Sequence, residues 1–403
     1  MLTAPLTTEA VAAVGWNVLR EDVSLPCAVL YEERLQHNLT WMQRFIEEYG
    51  VKLAPHGKTT MAPKLFARQI AGGAWGITLA TAQQVQAAYT HGVRRVLMMN
   101  QLVGRQNMEI VSRLLEDAHF DFYCLVDSAA QIEQLGTFFL AKGQRVQVLL
   151  EVGVEDGRAG VRSEAQVAEV LEALGRWKNT LELRGVELFE GLLKDEAAVR
   201  GFLGRAVEVM RRLVADGHLA AGKAILTGAG SAWYDVVADV FTDAGFGDAV
   251  DIVLRPGCYL THDIGAYREA QERILAANPV ARKLRAGLLP AQHIWSYVQS
   301  VPEAGRGILG MGKRDAAFDA GLPEPALHYR PGEDAPRMAP AHWKLAKMMD
   351  QHAYLDIQRG DDIQPGDMIA CDVSHPCLTF DKWRTLLVVN AHYDVIDLVE
   401  TYF

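Results

Sequence analysis

A chain of 403 residues, half of them hydrophobic, can bury a large core and is expected to form two domains. Its formal charge of −10 and pI near 5.7, with no basic patch, argue against nucleic acid or an anionic membrane surface as a partner. Its five cysteines (Cys27, Cys124, Cys258, Cys371 and Cys377) are scattered and odd in number, which speaks against a disulfide framework and for a reducing, cytoplasmic setting.

The amino-terminal stretch lacks the basic start and continuous apolar segment of a signal peptide, and no run approaches the roughly 20 apolar residues of a membrane span. From about residue 28, short apolar runs alternate with longer amphipathic stretches, the pattern of strand-helix units in a parallel α/β fold. Strands are expected at Val51–Ala54, Gly76–Ala80, Arg95–Met99, Phe122–Val126, Val146–Glu151, Leu183–Phe189, Ala224–Thr227 and Asp251–Leu254. Helices such as Ala82–Tyr89 and Glu196–Ala215 separate them. Eight such units predict a TIM-like (β/α)8 barrel over residues 27–270, with a doubly wound open sheet as the alternative. After residue 270 turns multiply and the apolar runs shorten, which predicts an antiparallel β-domain over 271–403. Its later strands are expected at Tyr354–Ile357, Met368–Asp372 and Thr385–Asn390, and residues 1–26 are expected to pack on it.

In a barrel the chemistry sits on the loops that follow the strands. The first strand runs into VKLAPHGKTTMAPK, which places Lys58 on such a loop, two residues after His56. A lysine in a low-dielectric cleft loses its proton more readily and can attack an aldehyde; in a polar loop it is ordinary solvated charge. After the fifth strand, GRAGV delivers Arg158 towards the same mouth, as a permanent cation for an anionic group or as a surface ion pair. TGAGS (Thr227, Gly228, Gly230, Ser231) follows the seventh strand and RPGCY (Gly257, Cys258, Tyr259) the eighth, the two positions where barrels commonly bind phosphate. Ordinary glycine turns are the alternative. In the second domain, SHPC sets His375 and Cys377 at i and i+2, a nitrogen-sulfur pair suited to zinc with open positions, or a chance pair in a turn. His352 is a candidate acid-base group or a satisfied core histidine.

Together PHGKT, GRAGV, ELFEG (187–191), TGAGS, RPGCY, GMGKRDAAFD (310–319), DQHAYL (350–355) and SHPC resemble the D-serine dehydratase and D-threonine aldolase family, pyridoxal-phosphate enzymes of the alanine-racemase-like fold. The resemblance runs along nearly the whole chain. It implies a Schiff-base Lys58, zinc on His375 and Cys377, a small D-amino acid as substrate, and a homodimer with the active site at its interface. Phe189 stands where many relatives carry a tyrosine beside the cofactor, Arg255 where related aldolases often carry glutamine, and Glu190 adds a carboxylate near the mouth. Related aldolases tend to place an aspartate where Cys377 stands, so the expected activity is elimination from a β-hydroxy D-amino acid, giving a 2-keto acid and ammonia. The alternatives are an aldolase releasing glycine and an aldehyde, an amino-acid racemase, or a non-catalytic carrier of the cofactor.

Overall fold

The structure is a computed structural model that describes residues 8–403. Strand β1 (Cys27–Tyr31) is followed by eight parallel strands: β2 (Lys52–Leu53), β3 (Ile77–Leu79), β4 (Arg95–Gln101), β5 (Asp121–Val126), β6 (Val146–Val152), β7 (Leu181–Leu188), β8 (Ala224–Gly228) and β9 (Val250–Leu254). Their order, β2-β9-β8-β7-β6-β5-β4-β3, curls one sheet around. Its two edges meet where the Trp75 amide bonds Leu53 O (2.7 Å), the Thr78 amide bonds Pro55 O (2.9 Å), and His56 bridges Thr78. The curled sheet is the expected barrel architecture.

Local sequence explains the units. The strands are runs of β-branched and other apolar residues that are buried nearly throughout, as strands covered on both faces must be. Helix starts carry their own caps: Thr81 accepts from the Gln84 amide, Asp195 from the Ala198 amide, and Ser163 forms a reciprocal capping box with Gln166. Inside the barrel Ala54, Leu97, Met99, Tyr123, Leu125, Leu149, Ile225 and Val253 form a compact apolar plug, while a larger core lies between the strands and the helices outside.

The remaining strands are β10 (Gln292–Glu303), β11 (Arg306–Leu309), β12 (Glu324–Tyr329), β13 (Arg337–Met338), β14 (Lys344–Met348), β15 (Ala353–Asp356), β16 (Met368–Asp372), β17 (Thr385–Val389) and β18 (Val395–Glu400). They form a second, mixed sheet ordered β13-β12-β16-β10-β1-β17-β18, with β11, β15 and β14 as a side ladder. Two details depart from the sequence reading. Strand β1 falls within the span expected for the barrel, yet it pairs antiparallel with β10 and parallel with β17. The division expected at residue 270 cuts the helix Ala266–Ala277, because the eighth barrel strand keeps a helix of its own. Residues 8–26 do lie on the second sheet: Asn17 bridges Asp394, and Val11 and Val18 join Trp295 and Met368 in one cluster. The expectation for residues 1–7 lies outside the described residues. No helix among the described residues is long and apolar enough to cross a membrane, and all five cysteines are free.

Candidate active site

Lys58 sits in a short 3-10 turn, Gly57–Thr59, just beyond the carboxyl end of β2. The turn fits only because residue 57 is glycine, since a Cβ there would lie 2.8 Å from both Ile77 and Phe66. The side chain of Lys58 stays open at the mouth. Loss of water from its ammonium still lowers its pKa; Cys377 opposes this, and Arg158 and Arg255 reinforce it. His56, beside it, is driven well below the usual imidazole range by burial and by the same cations, and its buried Nδ1 has no hydrogen-bond partner. The mouth thus presents an amine shifted towards its neutral form next to a neutral imidazole.

A buried charge network supports this corner. Arg255 is 4% exposed; it donates from Nη2 to Glu187 Oε1 and to Leu188 O (2.8 Å), and from Nε to Thr227 Oγ1 (3.0 Å). Burial pushes Glu187 up to about 7 against the pull of Arg255, with the nearby Glu151 adding to the rise. Arg255→Leu would leave these carboxylates uncompensated and is expected to cost about 3–5 kcal/mol of stability. The loss should be smaller at pH 5 than at pH 8, because Glu187 can then take up a proton; chemical denaturation at both values reads it.

The two glycine-bearing loops meet around the hydroxyl of Ser231, which accepts from the amides of Gly257 (3.1 Å) and Cys258 (3.0 Å). With both amides taken by its oxygen, the Ser231 hydroxyl is left with its O–H to donate, which fits a phosphate oxygen where the two loops meet. Glu190 does not face the mouth as a substrate group: it is fully buried and accepts from Ala229 N (3.0 Å) and Gly230 N (2.6 Å). A carboxylate held by two successive amides shows that this loop is shaped for an anion, and that the Gly230 amide already has one. Arg158 lies over the Phe189 ring, 4.7 Å from its centroid, so the aromatic body retained without a hydroxyl at 189 orients the guanidinium.

The second sheet contributes His375 and Cys377. Nδ1 of His375 bonds Asp319 Oδ2 (2.8 Å), which leaves Nε2 for another partner, and the imidazole is raised to about 9, chiefly by its hydrogen bond to Cys377. Cys377 Sγ lies 3.6 Å from Cys258 Sγ and 3.4 Å from Thr59 Oγ1. Hydrogen bonds from Cys258 first, then from His375 and Thr59, draw its pKa well down. A soft thiolate beside an imidazole whose far nitrogen is anchored by a carboxylate fits zinc. No three of the described His, Cys, Asp and Glu residues are grouped to enclose an ion, so a metal here would rest on two protein donors.

Other candidates are placed elsewhere. Thr227 is buried, with its hydroxyl bonded to Val253 O (2.7 Å) and Arg255; it belongs to the barrel wall rather than to a cofactor surface. Gly228 ends β8. Tyr259 points into the core, where its hydroxyl accepts from Gln69 (3.2 Å), so it does not line the mouth. His352 sits on the exposed turn between β14 and β15 and makes no hydrogen bond or ion pair with Lys58, His375 or Cys377 in the single chain. Sequence reading missed the roles of Glu187, Thr59 and Asp319; all three lie within the quoted motifs, but nothing in their spacing tells that they face Arg255, Cys377 and His375.

The carboxyl-terminal region, residues 291–389, matches a putative serine dehydratase domain, and residues 31–238 match the alanine racemase N-terminal domain. A D-threonine aldolase of an Arthrobacter species is 25% identical over 350 residues, covering 79% of this chain and 86% of that protein. A D-threo-3-hydroxyaspartate dehydratase of a Delftia species is 28% identical over 151 residues, or 38% of this chain and 39% of that one. Among solved structures, D-threonine aldolase from Filomicrobium marinum superposes with a TM-score of 0.78 at 22% identity, covering 96% of this chain and 97% of its own. The Delftia dehydratase superposes at 0.72 and 20% identity, covering 96% and 99%, and one mutant of it is described in a metal-free form. The curled parallel barrel, the mixed second sheet and the family matches agree: the chain belongs to the alanine-racemase-like family of D-serine dehydratases and D-threonine aldolases.

Proposed function

We propose that this protein is a pyridoxal-phosphate- and zinc-dependent lyase that eliminates water from a β-hydroxy D-amino acid to give an enamine, whose imine form takes up a water and is hydrolysed to a 2-keto acid and ammonia. The observation that carries the reading is the meeting of two distant segments. Thr59, next to Lys58, touches Cys377 of the second sheet at 3.4 Å, so the candidate amine and the candidate metal pair share one mouth within one chain. Bound pyridoxal phosphate supplies an electron sink for charge left at the α-carbon, and bound zinc supplies a Lewis acid for the β-oxygen. Lys58 would hold the cofactor's aldehyde carbon, Ser231, placed by the amides of Gly257 and Cys258, its phosphate, and His375 with Cys377 the metal.

The chain's own groups then have definite tasks. The lowered pKa of Lys58 gives its nitrogen a larger neutral fraction, which suits it to take a proton from the substrate's α-carbon. Neutral His56 adds no further positive charge beside it. Arg158, steadied by Phe189 at the open rim, offers a fixed cation to an anionic group such as a carboxylate. A homodimer is part of the proposal, with His352 of the exposed turn serving the site of a second copy; size-exclusion chromatography with light scattering tests the assembly.

Aldol cleavage is the competing reading, favoured by the likeness to a D-threonine aldolase over 79% of this chain. The thiolate at 377 supports elimination instead, because it favours zinc over a harder ion. A product assay over D- and L-serine, D- and L-threonine and 3-hydroxyaspartate separates them. Keto acid and ammonia in equal amounts from D isomers are expected; glycine and aldehyde without ammonia would make the enzyme an aldolase, and no product from any of them would end the lyase reading.

A further inference from the structure

We infer a second ligand site, for a small dianion, in the floor of the barrel at the end opposite Lys58. The floor is a cavity of about 410 Å³ lined by Lys52, Arg95, Asp121, Arg184, Lys223 and Asp251 among others. Lys52, Arg95 and Asp121 are the first residues of their strands, whereas Lys58 follows the carboxyl end of β2, so the apolar plug of Leu97, Leu125, Leu149 and Ile225 lies between the two sites.

The charges do not cancel. Asp251 is held by Lys52 at 2.6 Å and only loosely by Lys223 at 3.5 Å, and Asp121 is held by Arg95 at 2.7 Å while also accepting from Gln147 at 2.8 Å. Arg184 has no carboxylate partner among the described residues: Nη1 donates to Ala221 O, Nη2 to Lys223 O at 3.4 Å, and its buried Nε has no acceptor. Four cations against two carboxylates leave a surplus of two positive charges.

The position of Arg184 is a built feature of β7. Leu183 pairs with Val148 and Gly185 with Leu149, so Arg184 is the extra residue of a β-bulge, a device that re-aims a side chain. The bulge requires glycine next to it: Gly185 has φ +149°, and a Cβ there would lie 1.8 Å from Ile225 O. A strand interrupted in this way delivers a guanidinium that has no carboxylate partner among the described residues to a concave, cationic floor. Its planar fork matches a phosphate or a carboxylate, and a dianion would neutralise the surplus.

Isothermal titration of the purified protein with inorganic phosphate and, separately, with succinate tests the site at low ionic strength. Saturable binding of at least one is expected, weakened about tenfold or more in Arg184→Gln and several-fold in Lys223→Gln, a solvent-exposed change that spares the fold. Binding should be unaffected by Ser231→Ala, which alters only the mouth. Tighter binding of phosphate identifies a phosphoryl ligand, and of succinate a dicarboxylate. The inference is overturned if neither anion binds by about 10 mM, if binding survives both floor variants, or if it disappears in Ser231→Ala. None of these outcomes depends on the reaction at the mouth.

Discussion

Lys58→Ala protein is expected to turn over a β-hydroxy D-amino acid on the order of 10³-fold more slowly than the unaltered chain, or not at all, while unfolding at nearly the same temperature. The two readouts separate because the side chain is open at the mouth and forms no salt bridge with a carboxylate among the described residues, so its removal creates neither a core cavity nor an orphaned carboxylate. What it removes is the amine whose pKa is lowered by loss of water and by Arg158 and Arg255. Borohydride reduction of the unaltered protein in the presence of pyridoxal phosphate should label the peptide spanning 56–64, and should fail to do so in the variant. Undiminished turnover in Lys58→Ala, or a label on another lysine, would remove the foundation of the proposed chemistry.

Cys377→Ala should cut the zinc retained after purification by about tenfold or more, with turnover falling in parallel. A chelator should silence the unaltered enzyme, and zinc should restore it but not the variant. The expectation follows from the donor set. His375, anchored by Asp319 at 2.8 Å, and Cys377 are the two protein donors proposed, so on that reading loss of the thiolate leaves a single imidazole. Cys377→Asp replaces a soft donor by a hard one and is expected to move the preference from zinc towards manganese, read as metal content after dialysis against equal amounts of both. Zinc retained at full level in Cys377→Ala would place the metal elsewhere and take elimination chemistry away from this pair.

Much of the barrel was legible because each unit announces itself locally. Phe122–Val126 was expected and Asp121–Val126 is found; Glu196–Ala215 was expected and found. An apolar run bounded by turns needs no distant partner to be recognised. Strand β1 shows the limit. CAVLY is as apolar as any barrel strand, but Cys27 pairs with Trp295 and Val29 with Leu387, partners more than 250 residues away that no local pattern specifies. The chemistry divides in the same way. Lys58, Arg158, Ser231, His375 and Cys377 could be singled out as residues, but Tyr259 turns inward, Thr227 is bonded within the barrel wall, and His352 stands away from the mouth of its own chain.

The amino-acid sequence alone therefore determined the succession of barrel strands and helices, the position of the candidate lysine Lys58 after a strand, and the candidate nitrogen and sulfur of His375 and Cys377 far along the chain. Periodicity, glycine placement and side-chain chemistry are local properties, and they survive reading one residue at a time. Only the tertiary structure decided that Cys377 touches Thr59, that Asp319 stands behind His375, that Glu187 and Arg255 neutralise each other in the interior, and that Arg184 is aimed at the barrel floor. Those contacts depend on how the barrel closes and where the second sheet lands on it, which is settled by the packing of the whole chain and not by any segment of it.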